Sequence, residues 1–179
     1  MAKVLYSVTM SLDGYIAGAG GDMGWMTRYL GPNPEISTLI EQIGSLLVGR
    51  RTFDGDDPNK GREGEGKAFG GGWEGPQYIV THRVPASAPT DVFFVDDFAS
   101  ALAQAKEAAG DKYVNVLGAD IARQCLEAGE LDEVLTLIAP VMLGDGTRLF
   151  DRPGGHTVGL ERLSATTAPM ATNLWFRVA

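Results

Sequence analysis

The stretch that decides the fold covers residues 46–53 and reads Leu-Leu-Val-Gly-Arg-Arg-Thr-Phe. A short apolar run ends in Gly49, and Arg50, Arg51 and Thr52 follow at once. This pattern is typical of a buried strand that reaches the surface, where glycine permits a turn or a close approach to a ligand. In open α/β sheets, ligands bind beyond the carboxyl ends of the strands. The stretch therefore predicts either a ligand site or a strand followed by a solvated basic loop.

The composition is that of an ordinary globular chain. Its 179 residues are 44% hydrophobic and 21% charged, so we expect one domain over 1–179 with a single core. The net charge of −8 argues against nucleic acid as a partner, and no apolar run is long enough to span a membrane. Because Cys125 is the only cysteine and the N-terminus lacks a signal-peptide pattern, we expect a cytoplasmic protein. His82 and His156 are too few for a metal site unless carboxylates join them, so no metal is predicted.

Apolar periodicity predicts strands and helices in alternation, followed by two closing strands. We expect Gly44 to end the first helix, and Ala168-Pro169 to lie in the turn between the closing strands. The fold class is therefore α/β with a mixed sheet. The predicted strands are 3–10, 46–48, 77–81, 92–95, 113–117, 134–139, 158–164 and 174–178, and the predicted helices are 35–43, 98–109 and 121–128.

Residues 54–75 form a long stretch rich in glycine and charged residues. A loop of this length inside a compact domain is usually functional or disordered. If it closes over a substrate, Phe69 and Trp73 are its candidate contacts. If it has no role, it is a disordered insertion.

Cations and free N–H groups recur where predicted strands end. Arg50-Arg51 and His82-Arg83 each follow an apolar run, and the acidic composition makes these basic clusters more informative. Gly118 joins a predicted strand directly to a predicted helix, a geometry that aims backbone N–H groups at an anion. These features favour a phosphate ligand over two solvated basic patches, although such patches are also common.

Several motifs recur in a characteristic order along nearly the whole chain. They are Ser-Leu-Asp-Gly-Tyr-Ile-Ala at 11–17, Gly-Trp-Met-Thr at 24–27, Gly-Arg-Arg-Thr-Phe at 49–53, Asp-Asp-Pro at 56–58 and Ala-Pro-Val-Met-Leu-Gly at 139–144. The chain resembles the dihydrofolate reductase-like superfamily, and within it the reductase domain of the bifunctional deaminase-reductase of riboflavin synthesis, in a stand-alone form. The resemblance implies a three-layer fold with a central mixed, mostly parallel sheet of about eight strands, flanking helices and a C-terminal antiparallel hairpin.

The resemblance also implies an NADPH-dependent reductase. Position 119 departs from the family pattern, because Ala119 stands where a second glycine is usual, and Asp120 adds a negative charge beside the expected pyrophosphate. Riboflavin-pathway reductases pair through their sheets, so a homodimer is expected, with Leu135–Leu143 as a contributing apolar segment. The implied cofactor-binding residues are Gly49, Arg50, Arg51 and Thr52, then Thr81, His82 and Arg83 at the 2′-phosphate, and Gly118, Ala119, Asp120 and Ile121.

Hydride transfer needs no protein nucleophile, but reduction also consumes a proton. The candidate catalytic carboxylates are Asp57, Asp13 and Glu35, with Asp57 the first choice by resemblance. Trp25 and Thr27 are expected to line the substrate side. A phosphorylated substrate would need a second anion site, for which the candidates are Arg28, Arg62 and Arg148.

Three functions remain open from the sequence. The first is reduction of 5-amino-6-(5-phosphoribosylamino)uracil or a similar pyrimidine. The second is reduction of a dihydrofolate-like pterin or another small heterocycle or carbonyl compound. The third is nucleotide binding without turnover, which Ala119 favours, whereas the paired arginines favour the two reductases.

Overall fold

A computed structural model describes all 179 residues, and one eight-stranded sheet organises them. The strands are β1 (Lys3–Ser11), β2 (Tyr15–Ala17), β3 (Ile43–Gly49), β4 (Gln77–Val80), β5 (Val92–Val95), β6 (Tyr113–Leu117), β7 (Glu133–Ala139), β8 (Thr147–Arg148), β9 (Leu160–Ala168) and β10 (Ala171–Val178). The helices are α1 (Pro34–Gln42), α2 (Arg50–Phe53), α3 (Phe98–Ala109) and α4 (Ala119–Glu127), with short 3₁₀ turns at Ala19–Gly21, Gly24–Tyr29 and Ala68–Gly71.

The strand order is β5–β4–β3–β6–β1–β7–β10–β9. The first six strands of this order run parallel, while β10 is antiparallel to both β7 and β9. Strands β2 and β8 pair separately as a small antiparallel ribbon. The predicted mixed, mostly parallel sheet with a C-terminal antiparallel hairpin is therefore confirmed.

Apolar side chains fill a core on each face of the sheet. Helices α3 and α4 cover one face, where Tyr6 and Leu47 are fully buried. Helix α1 covers the other face, where Leu5 and Leu46 are fully buried. Burying each such leucine stabilises the fold by about 2 kcal/mol. Strands buried on both faces read as continuous apolar runs, which is why the central strands were recognisable from sequence.

The parallel strands end together at one side of the sheet, which we call the carboxyl edge. It is formed by the ends of β1, β3, β4, β5, β6 and β7 and the segments that leave them. The opposite side, where these strands begin, is the amino edge. The carboxyl edge contains the turns after Gly49 and Leu117, so the positions predicted for a ligand share one side of the sheet.

The sequence pattern predicted that Gly44 ends the first helix, and this prediction is wrong. Helix α1 ends at Gln42, and Gly44 lies inside β3. A β-carbon at position 44 would lie 2.7 Å from both Cα and the carbonyl oxygen of Ala109. Glycine is therefore required by the close approach of β3 to the end of α3, and not by a helix cap.

The closing hairpin differs from its predicted limits. Strand β9 covers 160–168 instead of 158–164, and β10 begins at 171 instead of 174. The two residues between these strands are Pro169 and Met170, so Ala168 ends a strand and does not lie in the turn. Most of β9 is exposed, which removes the apolar periodicity that would mark its bounds.

Four of the first five residues of Leu135–Leu143, the segment expected to contribute to a subunit interface, are buried within one chain, and Ile138 is half-buried. Strand β7 lies between β1 and β10, and Leu135 and Ala139 are fully buried within one chain. The edge strands are β5 and β9. None of the helices has the length and apolar character needed to cross a bilayer.

Candidate active site

Two turns at the carboxyl edge interlock. Gly118 has a φ of +103°, and a β-carbon there would lie 2.4 Å from Thr52 Oγ1. At position 49, a β-carbon would lie 3.2 Å from Ile121 Cγ1. Each turn thus receives a side chain from the helix that follows the other turn. The two glycine turns predicted separately from sequence form one unit.

Helix α4 starts in this unit with free N–H groups. Its N-terminal residue is preceded by Gly118, which offers no side-chain cap. The first backbone bond of the helix runs from Ala122 N to Gly118 O at 3.1 Å. The N–H groups of 119–121 therefore have no acceptor within the helix and lie at the carboxyl edge. This arrangement suits an anion.

The negative charge of Asp120 is compensated within α4. Its carboxylate accepts hydrogen bonds from Arg123 Nη2 at 2.7 Å and Gln124 Nε2 at 2.9 Å. The bond from Arg123 is the main cause that lowers the pKa of Asp120, and the charge of Arg51 adds to it. The repulsion expected between Asp120 and a pyrophosphate is thereby reduced.

Arg50 is held by two neighbours, although its predicted partner is a ligand. Its Nε donates to Asp54 Oδ2 at 2.5 Å, and its guanidinium carbon lies 5.3 Å from the centroid of the Phe94 ring. Its Nη1 is buried and has no hydrogen-bond partner. Arg51, the next residue, is exposed. After β3 the structure thus leaves the Nη1 donor of Arg50, held in a fixed orientation, and the exposed guanidinium of Arg51.

The predicted Thr81-His82-Arg83 group divides into a buried residue and two exposed ones. Thr81 is 6% exposed, and its hydroxyl accepts a hydrogen bond from Arg83 N at 3.1 Å. Such side-chain-to-backbone bonds are typical of tight turns. The side chains of His82 and Arg83 are exposed at the end of β4. Thr81 shapes the turn that presents them.

The Gly24–Tyr29 turn and the Asp-Asp-Pro motif, distant in sequence, are joined. Thr27 Oγ1 donates to Pro58 O at 2.7 Å, and Asp56 Oδ2 accepts from Met23 N at 3.0 Å. The bond from Met23 is the main cause of the lowered pKa of Asp56. Thr27, predicted to line the substrate side, thus also fixes the start of the 54–75 loop.

Trp25 lies in the same turn and keeps a free donor. Its indole Nε1 is buried without a hydrogen-bond partner, and its ring lies 6.3 Å from the ring of Tyr29. A buried N–H group without a partner destabilises a fold by about 1–3 kcal/mol unless a ligand or water accepts from it. Trp25 is therefore suited to donate to a ligand oxygen.

Asp13 is bound on both carboxylate oxygens. Oδ1 accepts from Ser11 Oγ at 2.6 Å and Leu143 N at 3.0 Å, and Oδ2 accepts from Gly144 N at 2.7 Å. The hydrogen bond from Ser11 is the main cause that lowers the pKa of Asp13 to about 2, with the two backbone bonds adding to it. Asp13 thus holds the segment after β7 against the end of β1, and it is ionised at neutral pH.

Asp57 also binds backbone groups. Its Oδ1 accepts from Asn59 N at 2.7 Å, and its Oδ2 accepts from Gly66 N. These bonds span nine residues of the 54–75 loop and give it a defined shape.

The end of that loop is anchored in the core. Trp73 is 8% exposed and donates from Nε1 to Ile43 O at 3.1 Å. Phe69 packs against the same core cluster. The expectation that Trp73 is a substrate contact of a closing loop is therefore wrong, because its ring fills the space beneath α1.

Glu35, the third candidate carboxylate, lies in the first turn of α1. It accepts from Ser164 Oγ at 2.9 Å and from Thr166 Oγ1, both on β9. The structure therefore places Glu35 against the outermost strand of the hairpin and does not bring it together with Asp13 or Asp57 through shared hydrogen bonds.

The three candidate arginines for a second anion site lie on separate segments. Arg28 belongs to the turn that Thr27 ties to the 54–75 loop, and Arg62 lies on that loop. Arg148 lies on β8, with its guanidinium 5.1 Å from the centroid of the Tyr15 ring. Stacking on Tyr15 leaves its charge exposed.

Sequence reasoning missed the two neighbours of Arg50. Asp54 stands four residues after Arg50, a spacing that signals an ion pair on a helix and was available in the sequence. Phe94 carried no such signal, because strand alternation does not tell which residue of another strand approaches it. Asp56 was named only within its motif.

The fold is dihydrofolate reductase-like. Dihydrofolate reductase from Enterococcus faecalis, in a structure that contains NADP(H), matches 98% of this chain and 96% of its own with a TM-score of 0.63 and 12% identity.

Within that class the chain belongs to the RibD C-terminal domain family, whose model matches residues 2–171. It is 23% identical over 160 residues to the uncharacterized protein YyaP of Bacillus subtilis (strain 168). The alignment covers 83% of this chain and 80% of YyaP. The diaminohydroxyphosphoribosylaminopyrimidine deaminase/5-amino-6-(5-phosphoribosylamino)uracil reductase of Thermotoga maritima matches 99% of this chain at 18% identity with a TM-score of 0.70. This chain covers 57% of that longer protein. The match to the family model confirms the family predicted from the sequence motifs.

Proposed function

We propose that the protein is an NADPH-dependent reductase that transfers a hydride to a small heterocyclic or ribosylated pyrimidine, similar to 5-amino-6-(5-phosphoribosylamino)uracil. One observation carries the proposal: Gly118 is packed against Thr52 Oγ1 where a β-carbon would lie at 2.4 Å. This contact joins the free N–H groups at the start of α4 to the turn that bears the arginines. A bound pyrophosphate then receives N–H donors from one turn and a cation from the other.

The residues have distinct proposed roles toward the cofactor. NADPH supplies the hydride, and the protein supplies binding and orientation. The N–H groups of 119–121 and the side chains of Arg51 and Thr52 bind the pyrophosphate, with Gly49 and Gly118 permitting its approach. Arg83 and His82 bind the 2′-phosphate, in the turn that Thr81 shapes.

The proton must come from a group that holds one at neutral pH or relays one from water. Asp13, with a pKa of about 2, is a poor donor, so we assign it the role of positioning the segment at 143–144. Asp57 remains our first choice for substrate contact or proton relay, and Glu35 is the alternative. Trp25 Nε1 is the proposed hydrogen-bond donor to the substrate, since it is buried without a partner.

Nucleotide binding without turnover is the second candidate function. It is favoured by the observation that Asp13, Asp57 and Glu35 all already accept two or more hydrogen bonds within the chain. Such a protein would bind NADPH and oxidise none with any substrate. Oxidation of NADPH in the presence of 5-amino-6-(5-phosphoribosylamino)uracil or dihydrofolate would indicate a reductase and would exclude nucleotide binding without turnover.

The first experiment is a titration with NADPH and NADH, followed by fluorescence of the three tryptophans. We expect NADPH to bind more tightly, and Arg51→Ala to weaken its binding about tenfold through loss of a charge-assisted contact. Arg177→Ala is the matched control, because Arg177 is also exposed and pairs with Glu161 on the hairpin. No binding of either nucleotide at millimolar concentration would refute the cofactor assignment.

A homodimer also remains a prediction. Since β7 is enclosed, the surface we propose for pairing moves to the edge strand β9, where Leu160 and Leu163 are 52% and 39% exposed. Exposed edge strands are templates for pairing with another chain. Sedimentation of the purified protein tests the proposal, and a monomer at all concentrations contradicts it.

A further inference from the structure

The consecutive residues Arg50 and Arg51 serve different parts of the carboxyl edge. Arg51 acts on the β6–α4 side, where its charge contributes to the lowered pKa of Asp120 after the main contribution of Arg123. Arg50 turns the other way and stacks on Phe94 of β5. Because β4 lies between β3 and β5 in the sheet, the contact between Arg50 and Phe94 joins segments that follow or form strands about two spacings, or roughly 10 Å, apart.

The orientation of Arg50 is fixed from two sides. Asp54 binds Nε, and the Phe94 ring lies beneath the guanidinium. Phe53 packs edge-on against Phe94, with ring centroids 5.5 Å apart, and so holds that ring in place. The bonds leave Nη1 buried and unpartnered. A guanidinium immobilised in this way presents a donor to an acceptor that the protein itself does not provide.

Phe94 also lines an open depression in the surface. It has a volume of about 450 Å³ and is formed by β5 and the segment 84–88, with Phe94 among its lining residues. The segment 84–88 begins one residue after Arg83. Thr81 N donates to Val95 O at 2.9 Å, so Arg83 follows β4 beside β5, the strand whose Phe94 contacts Arg50.

We propose that Phe94 is a positioning residue that holds Arg50 at the β5 end of the carboxyl edge, where Arg50 and Arg83 together bind the 2′-phosphate of NADPH. The inference rests on the proposed function and assigns Arg50 to the adenosine end of the cofactor, while Arg51 serves the pyrophosphate. Phe94 then determines the preference for NADPH over NADH without touching the phosphate.

The test compares Phe94→Leu with Phe93→Leu in the full chain. Phe93 is the matched control because it lies on the same strand and stacks on Tyr78, with ring centroids 5.2 Å apart, on the opposite face. We expect Phe94→Leu to weaken NADPH binding about fivefold, the effect of one cation–π contact with a partly buried arginine. NADH binding should change less than about twofold, because NADH lacks the phosphate that Arg50 binds. Phe94→Tyr should restore NADPH binding, since the ring remains.

A double-mutant cycle distinguishes positioning from loss of packing. If Phe94 acts through Arg50, Phe94→Leu should have no further effect on NADPH binding in an Arg50→Ala background. Equal losses for NADPH and NADH, additive effects with Arg50→Ala, or the same loss in Phe93→Leu would each overturn the inference. Tight NADPH binding that Phe94→Leu leaves intact would also overturn it while the proposed function stands. Failure of the unchanged protein to bind either nucleotide would overturn both.

Discussion

The two edges of the sheet differ in whether their buried polar groups have hydrogen-bond partners. At the amino edge, Glu133 is 2% exposed, and its carboxylate accepts from Lys3 Nζ at 2.8 Å, Tyr113 OH at 2.9 Å and Trp175 Nε1 at 2.8 Å. At the carboxyl edge, donors of Arg50 and Trp25 are buried without partners. The other unpartnered atoms belong to two sheet residues and to Arg152 in the segment after β8.

The difference separates polar groups that stabilise the fold from those available to a ligand. A buried carboxylate persists only when its bonds are satisfied, so the amino edge is a closed network. A buried donor without a protein acceptor destabilises the free protein and is relieved by a ligand. We therefore expect changes at the amino edge to alter stability, and changes at the carboxyl edge to alter binding.

The largest expected effect is at Glu133. Glu133→Ala should lower the free energy of unfolding by about 2 kcal/mol, because it leaves the half-buried donors of Tyr113 and Trp175 without an acceptor. NADPH affinity of the folded fraction should not change. Urea unfolding measures the loss, with Glu161→Ala as the control, since its exposed pair with Arg177 contributes about 0.5 kcal/mol or less. Similar losses in the two variants would show that the amino-edge network has no special role.

The next effect is at the junction of the two glycine turns. Gly118→Ala should lower the free energy of unfolding by about 2 kcal/mol, from a strained backbone, and should abolish measurable NADPH binding because Thr52 must move. Gly129→Ala is the control, because Gly129 has a φ of +70° but open space around a β-carbon. Backbone strain without a collision should leave NADPH binding intact. A loss of binding in both variants would remove the significance of the Thr52 contact.

The third effect sharpens the comparison, because Asp13 is a satisfied carboxylate at the carboxyl edge. Its pKa falls from 3.8 to about 2 in the folded protein, chiefly through the hydrogen bond from Ser11. A depressed native pKa contributes stability above the unfolded value that is lost as the pH falls through the folded value. The stability difference between the natural chain and Asp13→Asn should therefore be constant above about pH 5 and shrink between about pH 4 and 2. A difference that stays constant to pH 2 would contradict this role.

The sequence predicted the features that depend on order along the chain. The turn after Gly49, the cap of α3 and the strand before Gly118 follow from local patterns. Asp97 caps α3, accepting from Ser100 N at 2.9 Å, as is common for an aspartate directly before a helix. The motifs supplied the family, because their order and spacing are linear properties. Which carboxylate, if any, relays a proton stays a prediction.

The features that depend on contacts between residues distant in sequence could not be predicted from the sequence. Gly44 matched the pattern of a helix stop, but it is required by Ala109 on the neighbouring helix. Trp73 lies in a glycine-rich stretch, a pattern that predicts a loop contact, yet its ring is buried beneath α1. Phe94 meets Arg50 only because β4 and β5 add next to β3 in the sheet. Apolar periodicity identifies which face is buried, but not which residue lies opposite.

The contact between Gly118 and Thr52 has a consequence for how such a protein can diverge. A β-carbon at position 118 would collide with Thr52, so a change of Gly118 disturbs both turns unless the side chain at position 52 becomes smaller. Arg50, Arg83 and Phe94 stand outside that contact, so a descendant lineage or a directed-evolution campaign can exchange them without creating this collision. Nucleotide preference should therefore drift readily among relatives, while the glycine at 118 and the small side chain at 52 persist. A library randomised at these five positions would separate the two rates of change.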